Sequence, residues 1–147
     1  IHLLVLGYPN ETKYQSKAKA RGIDSSITFP GRVPYGEAAK FLCLGDVAVS
    51  PKRSLTEANG KLLSYMGCGL PVVASDTPVN RELLGEEGVF APVDDAGAFA
   101  TKLRQLLTDR SRAIYLGSAL RRRAEDNYSW PSLAKHLESV YREAMIR

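Results

Sequence analysis

Ser50-Pro51-Lys52-Arg53-Ser54-Leu55-Thr56-Glu57-Ala58-Asn59-Gly60-Lys61-Leu62-Leu63-Ser64-Tyr65-Met66-Gly67-Cys68-Gly69-Leu70-Pro71-Val72-Val73-Ala74-Ser75-Asp76 decides the fold. An apolar run, Asp46 to Ser50, feeds a polar loop that ends in Asn59-Gly60. The loop opens a short helix, roughly Gly60 to Gly67, and a second apolar run follows from Leu70 to Ala74. Strand, loop, helix, strand in this order is the pattern of parallel strands joined by a crossover helix. The loop brings one acid, Glu57, and two bases, Lys52 and Lys61, to a helix start. Exposed amides at a helix N-terminus attract anions. A phosphate-bearing ligand, with Glu57 accepting hydroxyl hydrogen bonds from it, is the chemistry this arrangement suggests.

Outward from this stretch, strands and helices alternate. Ile1 to Leu6 is an apolar run broken only by His2, the pattern of a buried parallel strand. Glu11 to Arg21 reads as an exposed helix with Asn10 as its N-cap and Gly22 as its stop. Ile27 to Phe29 is a short strand entering Pro30-Gly31-Arg32-Val33-Pro34. Tyr35 to Leu44 is a helix with Ala38, Ala39, Leu42 and Cys43 on one face. Thr77-Pro78 begins a short helix that Gly85 ends, and Gly88 to Ala91 is the last strand. Asp94-Asp95 open a helix with Phe99, Leu103, Leu106 and Leu107 on one face, acidic at its start and basic later. An arginine-rich helix spans Asp109 to Asp126. Trp130-Pro131 starts a terminal one, with Leu133, Leu137, Val140 and Tyr141 at helical spacing. The expected architecture is an α/β, Rossmann-like, doubly wound parallel sheet followed by C-terminal helices. Ligands in such folds lie beyond the carboxyl ends of the strands.

At 147 residues the chain is expected to form one domain with a real core. Its 44% apolar and 24% charged residues are those of an ordinary globular protein. A net charge of +4 suits anionic ligands and gives no argument for nucleic acid. No apolar run approaches a membrane span and no signal peptide opens the sequence, so a cytoplasmic location is expected. Cys43 and Cys68 lack metal-like spacing and read as buried thiols. His2 and His136 have no acid or cysteine partner near them in sequence, so neither metal nor catalytic histidine is expected. Arg121-Arg122-Arg123 reads as a solvated helix face, and Trp130 and Tyr141 as packing residues. The absence of a Walker loop or a Gly-x-Gly-x-x-Gly fingerprint argues against an NTPase or a dinucleotide oxidoreductase.

Several segments, in order, resemble the C-terminal domain of GT-B glycosyltransferases, specifically family 4 (group 1). Phe29 to Pro34 is similar to its Phe-x-Gly-x-Val segment, and Gly45 to Pro51 to its Asp-Val-x-Val-x-Pro strand. Lys61 to Met66 followed by Gly69 to Ala74 resembles a branch with Lys-Leu-x-Glu-Tyr-Met and Gly-x-Pro-Val-Val-Ala. Arg81 to Leu84 and Gly88-Val89 fit the segments that follow. The resemblance covers nearly the whole chain.

The resemblance implies a domain that binds a nucleotide-diphosphate sugar. A further N-terminal domain would bind a glycan, lipid or small-molecule acceptor, and the sugar would move with retention. It implies no metal and no cofactor beyond the donor substrate, and peripheral membrane association of the full enzyme. Glu57 matches the first of the family's paired glutamates, which contacts donor-sugar hydroxyls. Asn59, Gly60 and Lys61 match the loop that receives sugar and diphosphate, with Lys52 beside it. Gly31, Arg32 and Val33 match the loop that meets the nucleobase. Ser64 stands where the family has its second, ribose-binding glutamate, and the Glu57–Ser64 spacing is one residue shorter than the family's pair. The family's domain starts with a strand and helix ahead of the Ile1 strand, so the chain, residues 1–147, reads as a fragment of a larger enzyme. The other readings are a non-catalytic sugar-nucleotide-binding module and a GT-B sugar-nucleotide epimerase.

Overall fold

The computed structural model describes residues 1–145 of the chain. They form two compact units, one spanning Ile1–Gly45 and one from Asp46 onward.

The first unit contains β1 (Leu3–Leu6), α1 (Glu11–Ala20), β2 (Ile27–Gly31) and α2 (Tyr35–Leu42). β1 and β2 pair in parallel, with Leu3 opposite Ile27 and Leu6 opposite Gly31. The expected buried strand is shorter and more open than its apolar run suggests. It begins at Leu3, which is exposed, and its other residues are half-buried, because a two-stranded sheet can bury little of a strand. Ala18 is the buried residue of α1. Asn10 occupies the cap position, but in a left-handed conformation without a side-chain bond; its carbonyl instead accepts from the Tyr14 amide at 3.2 Å. The inward stripe of α2 is Ala38, Phe41 and Leu42, while Ala39 and Cys43 face solvent. Phe41, the largest apolar side chain of the helix, sets that face, so the expectation of a buried Cys43 thiol is corrected.

The second unit contains β3 (Ala48–Ser50), α3 (Lys61–Gly67), β4 (Val72–Ser75), α4 (Pro78–Leu84), β5 (Val89–Ala91), α5 (Ala96–Thr108), α6 (Arg110–Tyr128) and α7 (Trp130–Met145). The strands run in the order β3-β4-β5, all parallel, with Ser50 opposite Ala74 and Ser75 opposite Ala91. Central β4 is buried along its length, which explains its unbroken apolar sequence. Val73 and Val89 pack with Leu106 of α5 and Leu116 of α6, joined by Phe99 and Leu103. Leu107 falls off that face and is exposed. α3 buries Leu62 and Met66 and lies against β4 and α6. Each side chain so buried contributes about 1.5–3 kcal/mol.

Helix starts of this unit are capped by their own sequence. Thr77 accepts from the Asn80 amide, Asp95 from Ala98 and Asp109 from Arg112. Asp95 therefore acts on α5 as a hydrogen-bonding cap. No base lies in the last turn, because Lys102 and Arg104 fall mid-helix. The solvated reading of the arginine run holds for Arg122, and Arg121 pairs with Glu125 at 2.9 Å. It fails for Arg123, which is half-buried and donates to the carbonyls of Leu83 and Glu82, each at 2.9 Å. This satisfies open carbonyls at the end of α4. The terminal helix forms as its periodicity predicts, yet Trp130, Leu133, Leu137, Val140 and Tyr141 are all exposed. The packing role expected for Trp130 and Tyr141 is thus corrected: spacing reports an apolar face, not what covers it. Among the described residues, no helix is long and apolar enough to cross a membrane.

Candidate functional site

Three loops leave the carboxyl ends of β3, β4 and β5. The longest runs from residue 51 to residue 60 and carries most of the candidate residues. Asn59 is buried at its far end, and its side-chain nitrogen donates to Ser50 Oγ at 2.7 Å, closing the loop at its base. The same nitrogen donates to Asn80 Oδ1 at 3.1 Å, tying this loop to the one after β4. Arg53 pairs with Asp94, tying it also to the loop after β5.

Within the loop, Lys52 Nζ donates to the Ala58 carbonyl at 3.0 Å and pairs with Glu57 Oε2 at 3.0 Å. The Glu57 amide donates to Ser54 Oγ at 3.1 Å. The Lys52 side chain is 24% exposed, whereas that of Glu57 is 72% exposed. Glu57 is thus held at its base, with most of its carboxylate open to solvent.

Gly60 caps α3 and Lys61 is its first residue. The first amide of this turn to find a backbone acceptor is that of Leu62, which donates to Asn59 O at 2.9 Å. The amides before it are the open donors of a helix start. Lys61 is exposed. Burial lowers its pKa from the ordinary lysine value, and repulsion from Lys52 lowers it further. Among the described residues, no carboxylate pairs with Lys61. Ser64, one turn on, is exposed.

The structure therefore brings Lys52, Glu57, Asn59, Gly60, Lys61 and Ser64 together on one loop and helix start. Asn59 is buried, with its side-chain nitrogen committed inward and its carbonyl accepting from Leu62, so it shapes the loop rather than reaching a ligand. Gly31, Arg32 and Val33 belong to the first unit. Gly31 has a φ of 76° at the end of β2, Val33 is half-buried and Arg32 is exposed. The Arg32 guanidinium lies 4.9 Å from the centre of the Tyr8 ring, joining the loops that follow β1 and β2. Ser50 and the Arg53–Asp94 pair carry no sequence reading as site residues, and Thr77 and Asn80 read from sequence only as the start of a short helix. Polar loop residues read as solvent-facing, and the one available signal was the Thr-Pro helix start.

The sequence model of the family described as glycosyl transferases group 1 matches residues 1–109. The chain belongs to this family. This group 1 glycosyltransferase chain is 32% identical over 146 residues to a phosphatidyl-myo-inositol mannosyltransferase of Mycobacterium leprae (strain TN), covering 96% of the chain and 37% of that relative. It is 28% identical over 143 residues to a D-inositol 3-phosphate glycosyltransferase of Corynebacterium kroppenstedtii, covering 95% of the chain and 31% of the relative. The chain spans less than two fifths of the length of these relatives. Among solved structures, the sucrose-phosphate synthase of Thermosynechococcus elongatus superposes with a TM-score of 0.86 at 22% identity, covering 99% of this chain and 39% of that one. HepE of Anabaena, solved in complex with UDP, superposes with a TM-score of 0.85 at 14% identity, covering 97% and 41%. The structural likeness establishes the fold, and the parallel α/β architecture expected from the sequence holds.

Proposed function

We propose that this group 1 glycosyltransferase chain binds a nucleotide-diphosphate hexose and forms the donor half of a retaining transferase. The acceptor half would lie on polypeptide outside these residues. In the reaction, the bond from the anomeric carbon to the diphosphate breaks. A bond from that carbon to an acceptor oxygen forms, the acceptor proton leaves, and the nucleoside diphosphate is released. The observation that carries the reading is the start of α3, where the Gly60 and Lys61 amides have no backbone acceptor and Lys61 has no carboxylate partner among the described residues. A diphosphate beside Lys61 would supply the missing counter-charge, and the open amides at Gly60 and Lys61 would add hydrogen bonds to the charge that grows on the leaving group. Glu57 would hold the sugar by its hydroxyls, a positioning role that leaves proton transfer to other groups. Ser64 would meet the ribose through a bridging water.

Relatives named as phosphatidyl-myo-inositol mannosyltransferases support a lipid acceptor, and a full enzyme with such an acceptor would work at a membrane surface. The test is titration with nucleotide diphosphates and their sugar conjugates. Selective binding that depends on Lys61 and Glu57 is expected; binding indifferent to both refutes the assignment.

A further inference from the structure

Ser50, Asn59, Ser75, Thr77 and Asn80 are the fully buried polar residues of the described chain, and all lie at or just beyond the carboxyl ends of β3 and β4. Their polar groups meet one another. Asn59 Nδ2 uses its two hydrogens on Ser50 Oγ and Asn80 Oδ1, at 2.7 and 3.1 Å. Asn80 Nδ2 donates to the Ser75 carbonyl at 2.8 Å, and the Asn80 amide donates to Thr77 Oγ1 at 3.2 Å. Burying amides and hydroxyls is costly, and an apolar filling of equal shape would serve stability as well. What a fully satisfied network adds is one defined arrangement of the segments it joins.

We infer that the Asn59–Asn80 pair, anchored on Ser50 and Thr77, is a positioning device for the loop from residue 51 to residue 60, and so for Glu57. The inference rests on the donor-site reading above. The line of connection is short. Asn59 follows Ala58, whose carbonyl accepts from Lys52, and Lys52 in turn holds Glu57. Asn59 is fixed from two sides, by the strand that starts its own loop and by the helix start after the next strand. Releasing it frees the Ala58 carbonyl, then Lys52, and lets the Glu57 carboxylate wander from the position where it would meet a sugar. Asn59 and Asn80 touch no ligand in this scheme; they act through the loop.

The test compares wild type with Asn80→Leu, which keeps the branched shape at a larger size and loses the bonds, and Ser50→Ala, which removes the bond at the loop base with little change of shape. Thr77→Ser, which keeps the accepting hydroxyl, is the conservative control. Amide hydrogen exchange is read across the chain, together with affinity for UDP-, GDP- and ADP-sugars. Asn80→Leu and Ser50→Ala are expected to speed exchange of the bonded amides of Glu57, Leu62 and Leu63 about ten-fold, as local opening does. Exchange at Val73, Ala74, Leu116 and Leu120 should hold, and Thr77→Ser should match wild type. Affinity for the sugar nucleotide should fall by a similar factor, with less change for the nucleotide diphosphate alone. Unchanged exchange at Glu57, Leu62 and Leu63 overturns the inference, as does a uniform rise across the whole second unit in both variants. If wild type binds no sugar nucleotide, the donor reading fails, while the exchange measurement still decides whether this network holds the loop.

Discussion

Gly117 lies in the interior of α6, where glycine is ordinarily a weakness. Replacing such a glycine with alanine in an open helix position stabilises by about 1 kcal/mol. Here the opposite is expected. A Cβ on Gly117 would press into the carbonyl oxygen of Gly69, 3.0 Å from its carbonyl carbon and 3.2 Å from Pro71 Cδ. The first two obstacles are backbone atoms of the turn entering β4. Gly69 itself has a φ of 70°, which fixes how that turn runs. Overpacking a fitted contact costs about 1–3 kcal/mol, and an obstacle that cannot rotate away belongs at the upper end. Offsetting about 3 kcal/mol by the 1 kcal/mol of helix preference leaves a loss of about 2 kcal/mol. For a unit of this size that lowers Tm by about 8–16 °C. Thermal and urea denaturation followed by circular dichroism would measure it. Gly67→Ala in α3 serves as control, because nothing lies within 4 Å of its Cβ position. That variant is expected to match or slightly exceed wild type. A Gly117→Ala variant as stable as wild type would refute the close approach of α6 to the turn before β4.

Two titrations test the electrostatics. Arg81 holds Asp76 through two hydrogen bonds, Nε to Oδ1 at 2.5 Å and Nη2 to Oδ2 at 2.7 Å, and the hydrogen bonding keeps the carboxyl below its ordinary pKa. The pair's stabilisation is therefore present above the unfolded-state pKa of Asp76 and is lost as pH falls through the lower folded-state value. Asp76→Asn should be slightly less stable than wild type at neutral pH, since both partners are well exposed, and the difference should vanish in acid unfolding curves. For Lys61 stability also rises with pH, but because a penalty on its charged form is lifted rather than because a favourable pair forms. Its folded-state pKa lies below the unfolded value, so its burial penalty is relieved as pH rises between the two. Lys52→Met should raise the pKa of Lys61 part of the way back, because burial, the larger cause, remains; NMR titration of the lysine side chain reads this directly.

The order of strands and helices was legible because short apolar runs stand between clear stops. Gly45, Gly69 and Pro71 bracket β3 and β4, and Thr77-Pro78 starts α4 as a capped helix should. The loop with Lys52, Glu57 and Lys61 was legible through spacing and family resemblance. What stayed hidden depends on partners far along the chain. Asn59 and Asn80 are 21 residues apart, and nothing in either neighbourhood marks the pair as buried. Arg123 looks like its neighbours Arg121 and Arg122 until the end of α4 is placed against it. The apolar stripe of α7 was visible in its period, but a period says which side chains share a face and is silent about burial. Cys43 was misplaced for a related reason: Phe41, two residues before it, claims the inward face of α2.

The central claim is that the loop ahead of α3 receives the diphosphate and sugar of a donor. The measurement that tests it most directly is ligand-detected NMR of the chain with UDP, GDP, ADP and their sugar conjugates, repeated in Lys61→Ala and Glu57→Ala. One nucleotide is expected to bind selectively. Lys61→Ala should weaken the diphosphate and its conjugate alike, and Glu57→Ala should weaken only the sugar conjugate. No binding of any nucleotide, by this chain and by a longer polypeptide that also carries the acceptor half, would contradict it.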